Sequence, residues 1–412
     1  MFGKNISKRW NLGDLWKKSL LLLNAFIWYF LILRVRDIVI RMPEISDSAT
    51  MISTAVFCSV VFSSILGSLL SSKLKRDRLL MLWITLGAIS SLAPITISYN
   101  PNAVTAIVAF SILGISFGFG IPSALAYFAD CTPIEKRGLS AGAIFLVTDI
   151  ILLPIIVLSS MLDLATNSIF LFVWRLLGLL FLLSKQEERQ VPAHVYERRV
   201  SYISILTAKS FLLYFLPWFA FSLLVSFELV VVDNFLKNDP VLYDSITAVG
   251  TVLTSLSVLV GGFLADQVGR KRVAIYGFAT LGLAYAAIGL LPNFIVSWYF
   301  YGVVDGISAG IFMTIFVAVL WGDFSELGSR ERYYAIGSIP FFVSGIIQSL
   351  STQYVALVPV YASFSLASFF LFLAVLSLAF AQETLPEKEI EKRRLQKYLE
   401  DVEKIKKKYE KE

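Results

Sequence analysis

Twelve apolar stretches, each near the roughly 20 residues that carry a helix across a bilayer, occupy most of the chain. They run 19–41, 49–72, 79–99, 103–129, 139–161 and 166–184, then 210–232, 244–265, 273–291, 294–321, 333–353 and 359–381. In hydrocarbon every backbone N–H and C=O must be satisfied by the chain itself, so apolar segments of this length fold as helices. Breaks fall at Pro43, Asn100-Pro101, Pro133, Asp239-Pro240 and Pro292-Asn293, residues that end helices or open turns. The pattern predicts an all-α polytopic membrane protein with twelve transmembrane helices in two pseudo-symmetric six-helix bundles. It divides the chain into an N-terminal bundle over 1–184, a cytoplasmic linker over 185–209, a C-terminal bundle over 210–385 and a charged tail over 386–412.

Composition narrows the class. Of the 412 residues 57% are apolar and 16% charged, against roughly 25% charged in a soluble domain. Mean hydropathy is +0.73. A disordered chain is excluded, and a soluble enzyme is disfavoured. Cys58 in an apolar run and Cys131 in a cytoplasmic-side loop make neither a metal spacing nor a disulfide framework. His194 is the only histidine, so no histidine-based metal or catalytic site is expected. No cofactor is called for, and no nucleophile constellation marks a membrane-embedded enzyme.

The net charge of +6 is an orientation signal rather than a nucleic-acid surface. Assigned to loops, 31 of the 36 Lys and Arg residues fall on one side of the twelve spans. Basic residues collect on the cytoplasmic side, so both termini are expected inside, in a multi-pass plasma-membrane protein. Lys4, Lys8, Arg9, Lys17 and Lys18 precede the uninterrupted apolar run Ser19 to Leu33, as in a signal peptide. Arg34 and Arg36 follow it in place of a small-residue cleavage site, which predicts a retained first helix. In the tail, Leu395, Leu399, Val402 and Ile405 recur at helical spacing among alternating charges. That suits a solvated helix or one adhering to an anionic leaflet.

The halves repeat. Gly114-Ile115-Ser116-Phe117-Gly118 recurs as Gly306-Ile307-Ser308-Ala309-Gly310, 192 positions on. The stretch from Gly67 to Arg76 after the second span recurs, 195 positions on, as the stretch from Gly262 to Lys271 after the eighth. Lys18-Ser19 and Lys209-Ser210 open the first and seventh spans, a register that aligns Asp37 with Glu228. Two related six-helix halves are a common transporter plan.

The string Gly262-Phe263-Leu264-Ala265-Asp266-Gln267-Val268-Gly269-Arg270-Lys271 resembles the signature G-x-L-A-D-x-x-G-R-[KR] of the major facilitator superfamily, which joins the second and third helices of each half. Gly262 permits close helix approach and Gly269 a tight turn. Asp266 can face a helix N-terminus, with Arg270 and Lys271 left on the cytoplasmic side. Asp130, Glu135, Arg137 and Gly138 after span 4 are similar to the family's acidic-then-Arg-Gly loop, and Asp323, Glu326, Arg330 and Arg332 follow span 10 in the matching place. Glu383-Thr384-Leu385-Pro386 resembles the ending of sugar-porter-type members. The N-half copy of the signature departs, with Ser71 for its acid and Leu74 for its glycine. Span 5 lacks the Gly-Pro-rich motif of drug/proton antiporters, span 4 the arginine of their relay, and span 7 the Gln-Gln-Leu pattern of typical sugar porters.

The resemblance implies a secondary active transporter that moves a small polar metabolite, an organic anion or a sugar, by alternating access with proton coupling. A facilitative uniporter and a non-transporting nutrient sensor share the fold and stay open as alternatives. A latch of Asp266 and Arg270 with Asp323 or Glu326 is expected at the cytoplasmic end. Ionisable residues inside spans are functional by default: here Arg34, Arg36, Asp37, Asp149, Arg175, Glu228 and Asp305. The family's cavity-lining helices 1, 4, 7 and 10 would favour Arg34, Asp37, Glu228 and Asp305, while Asp149 could pair with Arg34. Static ion pairing is the competing role. The expected partners are a small-molecule substrate, protons and the lipid bilayer, with the protein monomeric.

Overall fold

The computed structural model describes residues 12–71, 73–180, 200–237, 239–325, 329–355 and 358–385. The tail over 386–412, most of the linker with His194, and Glu326 lie outside the described residues. The first half of the chain forms α1 (Leu12–Val39), α2 (Ala49–Leu70), α3 (Arg76–Ser90), α4 (Ile95–Tyr99), α5 (Ala103–Cys131), α6 (Arg137–Ser160) and α7 (Leu164–Leu177). The second forms α8 (Tyr202–Thr207), α9 (Lys209–Leu236), α10 (Pro240–Val268), α11 (Arg270–Leu290) and α12 (Ile295–Phe312). It ends with α13 (Leu320–Phe324), α14 (Arg330–Gly337), α15 (Ile339–Val355) and α16 (Val360–Ala379). Among the described residues eleven helical segments are long and apolar enough to cross a membrane, and α7 is a shorter apolar twelfth. The structure is the all-α, twelve-helix fold expected.

Several spans are interrupted where local chemistry demands it. Span 3 breaks into α3 and α4 at Ser91–Pro94. Span 11 breaks into α14 and α15 at Ser338, two residues before Pro340, which has no N–H to donate. The Gly337 carbonyl at that break accepts from Trp218 Nε1 at 3.1 Å. Span 10 runs from α12 through a π-helical segment, Met313–Val319, into α13. There the Phe316 and Ala318 carbonyls take side-chain donors, Trp321 Nε1 and the Tyr334 hydroxyl at 2.6 Å. Cys131 ends α5 rather than lying in a loop, and α8 is a short helix inside the stretch read as polar linker.

The described residues divide between two compact units, Met1–Thr132 with Val147–Arg198, and Pro133–Leu146 with Arg199–Glu412. In the first unit α2 packs along α5, and α1 and α3 each pack on α5 and α7. In the second α10 packs along α12, α11 along α16, and α9 on α15 and α16. The two long helix pairs repeat one device. A Cβ on Gly114 would stand 2.5 Å from the Val56 carbonyl, and one on Gly306 would stand 2.9 Å from Gly250 Cα. Glycine is therefore required for both crossings. Gly306 follows Gly114 by 192 positions and Gly250 follows Val56 by 194, so the sequence repeat is also a packing repeat.

Candidate functional site

The polar centre of the second unit lies where α10 gives way to α11. Gly269 makes the turn with φ of +115°, a backbone that side chains resist. A Cβ there would also stand 2.9 Å from the Glu383 carboxyl carbon. Asp266, in the last turn of α10 and 3% exposed, meets the first turn of α6. Its Oδ1 accepts from Gly138 N at 2.9 Å and its Oδ2 from Leu139 N at 2.8 Å. Helix-start N–H groups have no partner within their own helix and favour negative charge, so the acid satisfies both needs. Gly138 and Gly262 allow the contact, since a Cβ on Gly262 would stand 2.8 Å from the Gly138 carbonyl carbon.

Arg270 opens α11 with its side chain wholly buried and pairs with two acids. Its Nη2 is 3.0 Å from Asp266 Oδ1, and its Nε is 3.0 Å from Asp323 Oδ2. It also donates to the carbonyls of Ala265 and Ile134. Asp323 pairs in addition with Arg137, and no part of its side chain is exposed. Two buried guanidiniums on one carboxylate would be strained alone, but Asp266 supplies the second negative charge. Glu383 caps α11, where Arg270 N donates to Oε1 at 2.9 Å and Lys271 N to Oε2 at 3.2 Å. Lys271 Nζ reaches the Ala379 carbonyl at 2.9 Å.

Of the expected cytoplasmic set, the structure brings together Gly262, Asp266, Gly269, Arg270, Lys271, Arg137 and Asp323. Glu135 is half-buried in the turn that leads into α6, and Arg330 is half-buried at the start of α14. Arg332 instead faces α8, donating to the Val200 carbonyl with its guanidinium 5.4 Å from the Tyr202 ring centroid. Asp130 belongs to the first unit, where Arg76 Nη1 lies 2.6 Å from its Oδ2. The departure of Ser71 and Leu74 from the signature has thus not cost that half its Arg–Asp pair.

The span charges sort differently. Arg36 pairs with its neighbour Asp37 at 2.7 Å and lies over Phe57. Arg34 is half-buried, with a buried Nε that has no hydrogen-bond partner. Asp149 is half-buried in α6. Arg175 is wholly buried, its guanidinium 4.0 Å from Trp83 and 4.6 Å from Trp28, with Nη1 donating to Asn24 Oδ1 at 2.8 Å. Glu228 is 2% exposed. Its Oε1 accepts from Ser363 Oγ at 3.0 Å, and its Oε2 has no hydrogen-bond partner. Asp305 is half-buried on α12, within electrostatic range of Glu228. Sequence reasoning named neither Ser363 nor Asn24 as a partner. Glu383 stood in the sequence as part of a family ending, without its role as acceptor for α11.

No curated protein matches the chain by sequence. Solved structures match it in fold. The E. coli fucose:proton symporter FucP superposes with a TM-score of 0.68 at 13% identity, over 89% of this chain and 97% of that one. The proton:xylose symporter XylE gives 0.61 at 14%, over 90% and 95%. The human organic anion transporter MFSD10 gives 0.60 at 14%, over 89% and 98%. The family model described as Major Facilitator Superfamily matches residues 200–408, a span that holds the signature loop, its Arg270–Asp323 pair and Glu383. With twelve apolar helices and that match over half its length, the chain belongs to the Major Facilitator Superfamily of membrane transporters.

Proposed function

We propose that the chain moves a small polar metabolite across the membrane by alternating access, coupled to protons. The observation that carries this reading is the lock around Asp323. Arg137, from the first half of the sequence, and Arg270, from the second, converge on one buried carboxylate while Asp266 caps α6. A helix start pinned by a cluster of polar contacts suits a gate, because each of these contacts can be exchanged for water when the gate opens. The bias of basic residues supports placing this end, and both termini, in the cytoplasm of a plasma-membrane protein. The protein is proposed to act as a monomer.

For the substrate we favour an organic anion over a neutral sugar. Arg34 supports this, because its buried Nε lacks a partner and anions satisfy guanidinium donors. The sugar:proton symporters and the organic anion transporter of like fold bracket the same choice. The test is a thermal-shift screen of purified protein against carboxylates, sugars and amino acids, followed by uptake of the hits into proteoliposomes. Accumulation driven by an inward proton gradient and abolished by uncoupler is the expected result. Flux indifferent to both would mean a uniporter, and binding without flux a sensor.

A further inference from the structure

The second unit separates its charges by depth. Lys209, the run Arg270 to Arg272, Arg330 and Arg332 stand at or beside the starts of α9, α11 and α14. Lys237 follows the far end of α9, where its Nζ donates to Asn234 Oδ1 at 3.1 Å. Two acids lie deep in the helices instead. Glu228 is about 12 Å along α9 from its Leu236 end, and Asp305 is about 15 Å into α12 from Ile295. The helices α15 and α16, which also pack on α9, carry no charged residue.

The surroundings of Glu228 define what it can hold. Ser363 donates its one hydroxyl hydrogen to Oε1, which leaves the buried Oε2 without a partner. Phe364, beside Ser363, packs against the Tyr285 ring at 5.0 Å and the Tyr301 ring at 5.6 Å. Tyr301 precedes Asp305 by one turn of α12. Tyr285 from α11 and Tyr301 from α12 lie within electrostatic range of both acids, and Tyr301 is also in range of Asp233 of α9 and of Tyr243 of α10, which is hydrogen-bonded to Asp233. None is a cation. A buried carboxylate oxygen with neither donor nor countercharge is costly, so a mobile cation completes the site. A metal ion needs a shell of several oxygens, whereas a proton needs one, and the walls here are mostly aromatic.

We propose that Glu228 and Asp305, with Ser363, form one proton-exchanging site housed wholly within the second unit. It is the coupling seat for the proton symport proposed above and rests on that reading. In each cycle a proton from water forms an O–H bond at Glu228 Oε2, and that bond breaks later with return of the proton to water. Asp305 is the second carboxyl through which the proton passes, and no other bond changes. Asp37, by contrast, already has its countercharge in Arg36. The seat therefore lies on α9 and α12 and not on α1.

Two measurements on the full-length protein separate this assignment from the transport reading. In the first, the infrared carbonyl band of protonated carboxyl groups is titrated with pH in purified protein, in sodium and again in choline salts. The expected band titrates reversibly and identically in both salts, is lost in Glu228→Gln, and has a displaced midpoint in Ser363→Ala. An unaltered titration in both variants, or one that depends on sodium, overturns the proton site whether or not any substrate has been found. In the second, the best hit of the ligand screen is followed in proteoliposomes. Glu228→Gln should lose gradient-driven accumulation at least tenfold while keeping counterflow exchange within about twofold. Undiminished accumulation overturns the coupling role. If the wild type itself shows no flux, the transport reading fails, and with it the coupling role, while the infrared titration still decides the proton site.

Discussion

Asp266 and Gly138 fit each other in two ways. The Gly138 N–H donates to Asp266 Oδ1 at 2.9 Å, and a Cβ on Gly138 would stand only 2.8 Å from that same oxygen. The acid therefore needs both the helix start and the missing side chain. Gly138→Ala should push the first turn of α6 away from α10 and lower the midpoint of thermal unfolding. Asp266→Ala removes the acceptor of two N–H groups, at a cost of roughly 1–3 kcal/mol for each buried donor left unmade. Both variants should insert in the membrane normally and transport poorly. Wild-type turnover of Asp266→Ala in vesicles would remove the acid from the gating mechanism.

The two Arg–Asp pairs should respond unequally to disruption. Arg270 follows Arg76 by 194 positions, one short of the loop register, and Asp323 follows Asp130 by 193, so the pairs stand at matching places in the two halves. Side chains of the first-unit pair are 11% and 13% exposed, while both members of the second-unit pair are fully buried. Breaking a fully buried pair costs about 3–5 kcal/mol, and a pair that keeps some contact with water loses less, because solvent compensates the charge left behind. Asp323→Asn should therefore lower the unfolding midpoint well beyond Asp130→Asn. Exchanging the two charges should restore stability for Arg76 and Asp130. It should fail for Arg270 and Asp323, because an arginine at position 323 would meet Arg137.

Gly269 should tolerate no side chain. Its φ of +115° is unfavourable for an L-residue, by roughly 1–2 kcal/mol on the scale set by left-handed helix geometry. The site of a Cβ is also occupied by the Glu383 carboxylate. Gly269→Ala should destabilise the protein, and Glu383→Ala in the same chain should fail to repair it, because the backbone cost remains and α11 loses its acceptor. Full recovery in the double variant would mean that contact alone, and not φ, fixes the glycine.

The sequence made the architecture legible because its signals are long and redundant. Twelve apolar runs, proline breaks and a one-sided distribution of Lys and Arg each report on the same topology. The signature loop was legible too, down to Asp266 facing a helix start, because its chemistry is packed into ten adjacent residues. The chain could not announce partners brought together over long separations. Nothing in the serine of Ala362-Ser363-Phe364 points to Glu228, 135 positions earlier. The Arg76–Asp130 pair was hidden for a related reason. Ser71 and Leu74 break the local pattern, yet the pair depends on α3 and α5 packing together, which a loop motif does not encode. The π-helical stretch Met313–Val319 lies inside an apolar run with no change in composition, while the break at Ser91–Pro94 does carry a local signal, Ser90-Ser91 followed by Pro94, that the length of the apolar run outweighs.

Arg175 separates a charge kept for packing from one kept for transport. Its guanidinium lies between the Trp83 and Trp28 rings, 4.0 and 4.6 Å from their centroids, and Asn24 takes one of its N–H groups. Planar stacking of this kind is available to arginine and not to lysine, and a desolvated cation over tryptophan contributes about 2 kcal/mol or more. Arg175→Lys keeps the charge and loses the plane, which leaves an ammonium buried with poor contacts. Arg175→Met loses the charge and fills the slot with a flexible apolar chain. If the residue serves packing, the unfolding midpoint should fall further in Arg175→Lys than in Arg175→Met, and the methionine variant should keep most of its uptake. A methionine variant that is folded, stable and without transport would instead place the guanidinium among the groups that handle substrate.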